Sequence, residues 1–152
     1  MILSIDPGLK GGAVFIKDGG IHSYVLFERG YKNLYDLLRA NKVETVIIEN
    51  VRGYRGENVK SIFTFGKTVG HVEGVLICTG FDLKKIIRIE PKTWVSFYKD
   101  VWECKGKQKS CKAVKKLFQK KGGFDDIIKY DALSDAYLMW FFWEKTRTLN
   151  KS

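Results

Sequence analysis

Four acidic residues stand where chemistry is possible. Asp6 closes the apolar run MILSID, and Glu49 closes a second run, TVIIE. Asp131 and Asp135 lie four residues apart in KYDALSDAYLMWFFW. At 3.6 residues per turn that spacing leaves them about 40° apart around a helix axis. Two like charges on one mostly apolar helical face are unfavourable unless a cation is near. Carboxylate oxygens are the hard ligands that Mg²⁺ and Mn²⁺ select. Two such ions can activate a water and stabilise the leaving oxygen of a phosphodiester. Plainer readings stand beside this one. Asp6 can be a turn residue in a hairpin, Glu49 a strand-ending surface charge, and the Asp131/Asp135 pair a cap plus a lysine partner.

The four acids meet only if particular elements bring them together. Residues 1–16 read as a short buried strand, a glycine-rich turn and a returning strand AVFI. Glycines in such a turn let a bulky partner approach the main chain closely. Gly19-Gly20 turns the chain into a third strand, Ile21 to Phe27, which makes an antiparallel meander. Leu34, Leu37 and Leu38 give Tyr31 to Asn41 a helical period. Thr45 to Val51 is almost continuously apolar, as expected of a strand buried on both faces. If this strand lies parallel to the first, Asp6 and Glu49 project from the same sheet edge.

A long helix is expected from Ser61 to Thr79, with Gly66, Gly70 and Gly74 in one row. Close packing against another helix or the sheet is the first reading of that row, and a dimer contact the second. Lys84 to Glu90 reads as a strand ended by Pro91. Lys99 to Lys109 reads as a polar, basic, mobile stretch. Ser110 to Lys120 is amphipathic with Ala113, Val114, Leu117 and Phe118 inward, and Gly122-Gly123 closes it. The last helix begins at about Asp126 or Tyr130 and reaches Lys145. This order predicts an α/β fold around one mixed five-stranded sheet, a three-strand meander plus two parallel strands, flanked by helices.

The chain has 152 residues, 45% hydrophobic, and a formal net charge of +10. That is one domain, residues 1–152, with enough apolar content for a core. The positive excess favours polyanionic partners, with nucleic acid first. No basic amphipathic anchor stands out, and AYLMWFFW is too short to span a bilayer, so no membrane role is expected. Cys78, Cys104 and Cys111 are odd in number and show no C-x-x-C spacing. They indicate neither a disulfide framework nor a zinc ribbon, and fit a reduced, cytoplasmic, soluble protein. An Asp within what would be a signal's apolar region argues against secretion.

The stretches IDPGLKGGAVFI, VIIENVRGYRGENVKSIFTFGKTVGHVEGVL, RIEPKTWVSFYK with CKGKQKSCKAVKKLF, and KYDALSDAYLM together resemble the RuvC-like Holliday junction resolvases of bacteria and phages. These are members of the RNase H-like nuclease superfamily. The resemblance spans nearly the whole chain. It implies that Asp6, Glu49, Asp131 and Asp135 form a metal-binding catalytic tetrad, holding two Mg²⁺ ions per site with Mn²⁺ able to substitute. It also implies a homodimer that nicks four-way DNA junctions in pairs and leaves 5′-phosphate and 3′-hydroxyl ends. The last two acids often sit three apart in that family; the spacing of four here looks like some phage-type members.

Backbone binding needs Lys and Arg, and an open junction profits from aromatic wedges. Arg52, Tyr54 and Arg55 follow Glu49 closely and could supply both; the resemblance places this loop toward the junction centre. Lys92, Lys105, Lys107 and Lys109 form a second basic group. His22 and His71 lack metal-ligand spacing. Tyr137, Trp140, Phe141, Phe142 and Trp143 read as core or interface. Trp94, Phe97 and Tyr98 fit either a core or a binding surface. The expectation is a metal-dependent, structure-selective DNA endonuclease. The alternatives are a broader fork and flap debranching enzyme and a non-catalytic branched nucleic-acid-binding module. An actin-like phosphotransferase is disfavoured by the short chain and the lack of a second phosphate loop.

Overall fold

The structure is a computed structural model, and it describes residues 1–50, 58–100, 109–118 and 125–149. Five strands form one mixed sheet: β1 (Ile2–Asp6), β2 (Gly12–Lys17), β3 (Gly20–Leu26), β4 (Thr45–Glu49) and β5 (Ile86–Ile89). Their order is β3-β2-β1-β4-β5. β1 pairs antiparallel with β2 and parallel with β4, β2 pairs antiparallel with β3, and β4 pairs parallel with β5. The meander and the parallel pair therefore form as the apolar runs and turns foretell. The β2–β3 turn falls at Asp18-Gly19, one residue earlier than the glycine pair suggests. Both residues adopt positive φ, as a tight hairpin requires. Phe27 leaves the sheet for a short 3₁₀ turn, Phe27–Arg29.

Alternation along the strands divides the core in two. Leu3, Ile5, Ala13, Phe15, Val46 and Ile48 pack with helices α1 (Lys32–Ala40) and α2 (Val59–Cys78). Val14, Ile16, Ile47 and Ile89 pack on the other face against α3 (Pro91–Phe97), α4 (Lys109–Phe118) and α5 (Asp131–Leu149). Val46, Ile47 and Ile48 are all fully buried, which explains why β4 reads as a continuous apolar run. Burying each such side chain contributes about 1.5–3 kcal/mol. α5 lies across β1, β2 and β4, covered by α3 and α4, so Ala132 to Ser134 and Ala136 to Trp140 are all buried. The aromatic cluster behaves as core: Tyr137 and Trp140 are buried, while Phe141, Phe142 and Trp143 pack partly against the same cluster.

Four expectations need correction. Pro91 does more than end a strand: it occupies the first position of α3, where its fixed φ suits a helix and no N–H is missed. β5 is shorter than the run Lys84 to Glu90, because Leu83–Lys85 forms a 3₁₀ turn capped by Asp82, whose Oδ1 accepts from Lys84 N–H at 3.0 Å. Leu117 of α4 is 39% exposed, and the buried face is instead Ser110, Cys111, Ala113, Val114 and Phe118. Among the described residues, nothing packs closely against the glycine row of α2. A Cβ built on Gly66, Gly70 or Gly74 meets no described atom within 4 Å. The fold holds α2 through Thr68, Val72 and Leu76 on its opposite face, and through an ion pair from Arg88 of β5 to Glu73.

Segments 101–108 and 119–124, with Cys104 and the Gly122-Gly123 pair, lie outside the described residues. Cys78 is exposed and Cys111 buried, both free thiols. His22 is exposed, and the exposed His71 ring packs edge-on against Tyr31 at 5.2 Å. Among the described residues no helix is long and apolar enough to cross a membrane.

Candidate active site

Strand parity aims the first two acids. Leu3 and Ile5 face α2, so Asp6 faces α5; Val46 and Ile48 face α2, so Glu49 faces α5. Ile5 pairs with Ile48 across the parallel strands, and Asp6 and Glu49 each follow that pair by one residue. Both carboxylates therefore leave the same edge of the sheet on the same side. The turn after Asp6 is built on glycine: a Cβ on Gly11 would collide with the carbonyl oxygens of Asp6 and Gly8, and one on Gly12 would lie 2.7 Å from Leu133 Cδ2 of α5. Gly8 N–H donates to Asp6 Oδ1 at 3.0 Å, which fixes the carboxylate against its own turn. Asp131 is the first residue of α5 and Asp135 stands one turn later.

The acids act on one another. Burial raises the pKa of Asp6 to about 7; the Gly8 N–H opposes the rise and the charge of Glu49 adds to it. Burial likewise raises Asp135 to about 7, with Asp6 and Asp131 adding repulsion, while Ser110 and Lys109 pull it back. Glu49 is raised by burial and by Asp135, against a hydrogen bond from Trp94 and the charge of Lys109. Desolvation together with like charges is the signature of a carboxylate cluster holding more negative charge than its surroundings compensate. Among the described residues no three His, Cys, Asp or Glu side chains stand close enough to enclose one ion. The four acids thus share one electrostatic site without forming a closed coordination shell. Their donor set, carboxylate oxygens under mutual repulsion, fits a hard divalent cation.

Three acids also accept hydrogen bonds that the sequence did not advertise. Trp94 Nε1 donates to Glu49 Oε1 at 2.8 Å. Ser110 Oγ donates to Asp135 Oδ1. Cys111 Sγ donates to Asp131 Oδ1 at 3.2 Å and itself accepts from Ser134 Oγ at 3.5 Å. A signal for Ser110 is present in hindsight: a hydroxyl three and four residues before Ala113 and Val114 lies on the apolar face of its helix. Trp94 offers none, because nothing in the sequence tells an indole N–H bound to a carboxylate from one facing water.

Of the basic residues, Lys109 opens α4 and acts electrostatically on both Glu49 and Asp135. Lys92 is exposed on α3. Arg52, Tyr54, Arg55, Lys105 and Lys107 lie outside the described residues. Trp94 and Tyr98 are buried, and the Tyr98 hydroxyl donates to Leu138 O at 2.7 Å; Phe97 is 45% exposed.

No protein-family model matches this chain, and no curated protein matches it. Solved structures do. One is a complex described as T. thermophilus RuvC with a Holliday junction substrate: 17% identity, a TM-score of 0.61, covering 97% of this chain and 96% of that one. A second, a Thermus thermophilus RuvC structure, is 17% identical with a TM-score of 0.58 and the same coverage. Alignment over nearly the full length of both chains, with the mixed sheet and its flanking helices, gives this protein a RuvC-like fold.

Proposed function

We propose that this protein is a metal-dependent, structure-selective DNA endonuclease that hydrolyses phosphodiesters at four-way junctions. One observation carries the reading. Asp6 of β1, Glu49 of β4 and Asp135 of α5 are raised in pKa by burial and by the charge of neighbouring acids, Asp131 adding to the repulsion on Asp135, at one edge of a RuvC-like sheet. A surface meant only to bind DNA would gain by losing negative charge beside phosphate, so the retained acids favour catalysis over a binding module. Asp6, Glu49, Asp131 and Asp135 would hold two Mg²⁺ or Mn²⁺ ions. Bound there, the ions supply Lewis-acid stabilisation of the phosphoryl oxygens and a water acidified for attack.

The chain's own residues do the rest. Asp6, tied to Gly8 N–H, gives the site a fixed carboxylate. Gly11 and Gly12 beside it have no room for a side chain, so the turn that carries the carboxylate keeps its tight path. Lys109 tempers the negative potential that would repel that backbone. The remaining positive excess, with Arg52, Tyr54, Arg55, Lys92, Lys105 and Lys107 as candidates, attracts the DNA.

Paired nicks need two sites, and α2 supports a homodimer. Each glycine in a helix costs about 0.8–1.0 kcal/mol relative to alanine. Yet no described atom of the chain uses the space left by Gly66, Gly70 and Gly74. Beside that row Val59, Ile62, Phe63 and Ile77 are exposed, an apolar face suited to a second copy.

The test is cleavage of labelled four-way junction, fork and linear duplex with Mg²⁺, Mn²⁺ or EDTA, for the native protein and Asp6→Asn. The expected result is metal-dependent paired nicking of the junction. Asp6→Asn should lose roughly a thousandfold in rate, since a Lewis-acid contribution is several kcal/mol and each 1.36 kcal/mol is tenfold. Junction binding should survive the change. Equal cutting of forks and flaps would make this a general debranching nuclease, and an active Asp6→Asn would sink the tetrad.

A further inference from the structure

The acids of α5 and β4 are not held by their own elements alone. Ser110 and Cys111 are consecutive residues in the first turn of α4, and each gives a hydrogen bond to a different acid of α5, Asp135 and Asp131. Trp94 of α3 gives the corresponding bond to Glu49 at 2.8 Å. All three donors are neutral groups. A lysine in their place would neutralise a carboxylate and compete with a cation; a hydroxyl, a thiol or an indole N–H fixes orientation and leaves the negative charge available. Their placement is costly unless the bonds are made. Ser110 is 2% exposed, Trp94 3% and Cys111 7%, and an unpaired polar group at such depth is destabilising.

We propose that Ser110, Cys111 and Trp94 are positioning residues that set the orientation of Asp135, Asp131 and Glu49 for divalent-cation binding, with α4 as the element that aligns the two acids of α5. Ser134, fully buried, extends the arrangement: its hydroxyl reaches Ile127 O at 3.1 Å and Cys111 Sγ at 3.5 Å, which holds the thiol over Asp131. This inference rests on the metal-dependent reading above.

The experiment is a Mn²⁺ titration of the full chain without DNA, followed by the paramagnetic resonance of free Mn²⁺, with melting in EDTA as a check on folding. Ser110→Ala, Cys111→Ala and Trp94→Phe should each weaken Mn²⁺ binding about 10–100-fold, the usual effect of losing such an outer partner. Ser110→Thr and Cys111→Ser, which keep a donor, should bind close to the native affinity. Should an alanine variant fail to fold, Trp94→Phe and the contrast between Ser110→Thr and Ser110→Cys, a weaker donor, decide the matter. Native Mn²⁺ affinity in folded donor-less variants, or equal loss in the donor-keeping ones, would overturn the positioning role while leaving the nuclease reading intact. A native protein that binds no Mn²⁺ and cuts no junction would overturn both.

Discussion

Asp135 shows how a single residue links stability to function. Its carboxyl belongs near 3.8 when solvated and is pushed up to about 7 in the fold. Between those values the folded chain holds a proton that the unfolded chain has released, so stability falls as pH rises from about 4 to 7 and stays low above. The penalty at alkaline pH is at most about 4 kcal/mol, taking three pKa units at 1.36 kcal/mol each. Asp135→Asn removes the charge and keeps the shape. In EDTA it should therefore melt higher than the native protein at pH 8 and close to it at pH 4, while losing cleavage. A lower melting temperature at pH 8 would mean that Asp135 stabilises the fold as an ion. Adding Mg²⁺ at pH 8 should raise the native melting point and do little for the variant.

Among the elements, α2 carries an exposed apolar face and a glycine row that no described residue approaches closely. Three glycines forgo about 2–3 kcal/mol of helix propensity, and no described residue makes a close approach in return. Gly70→Lys separates the possibilities. On a solvent-facing helix the lysine costs nothing sterically and should raise the melting temperature by a degree or more through better propensity. Against a second copy it should split the dimer, visible by sedimentation, and abolish paired nicking while single nicks persist. An unaltered dimer would remove α2 from the interface.

For the whole molecule the charge balance is the governing quantity. Twenty-seven Lys and Arg against seventeen Asp and Glu leave +10. Junction binding should fall steeply with salt. Six phosphate contacts would give a log–log slope near −5 and about a 10³-fold loss of affinity between 50 and 200 mM salt. A shallow slope would shift the weight of recognition to stacking. Because both Asp6 and Glu49 emerge at the carboxyl edge of a sheet held by two separate cores, the site sits on a rigid frame.

Much of this was legible in the residues themselves. Apolar runs ending in Asp6 and Glu49, the glycine turn and the four-residue spacing of Asp131 and Asp135 are local patterns, set by periods of 2 and 3.6 that need no tertiary information. They carried the mixed sheet, the parallel β1–β4 pair and the face shared by the two aspartates. Contacts between distant segments were not legible. That Trp94 meets Glu49, that Ser110 and Cys111 meet the acids of α5, and that Leu117 turns outward depend on how α3 and α4 are rotated against α5. The glycine row reads the same in sequence whether it packs inward or lies open, because a missing side chain carries no directional preference. Local sequence determined which residues could do chemistry; packing between helices decided which neutral donors bond to them and which face of α2 is left exposed, since hydrogen bonds and burial depend on the relative placement of elements rather than on their internal period.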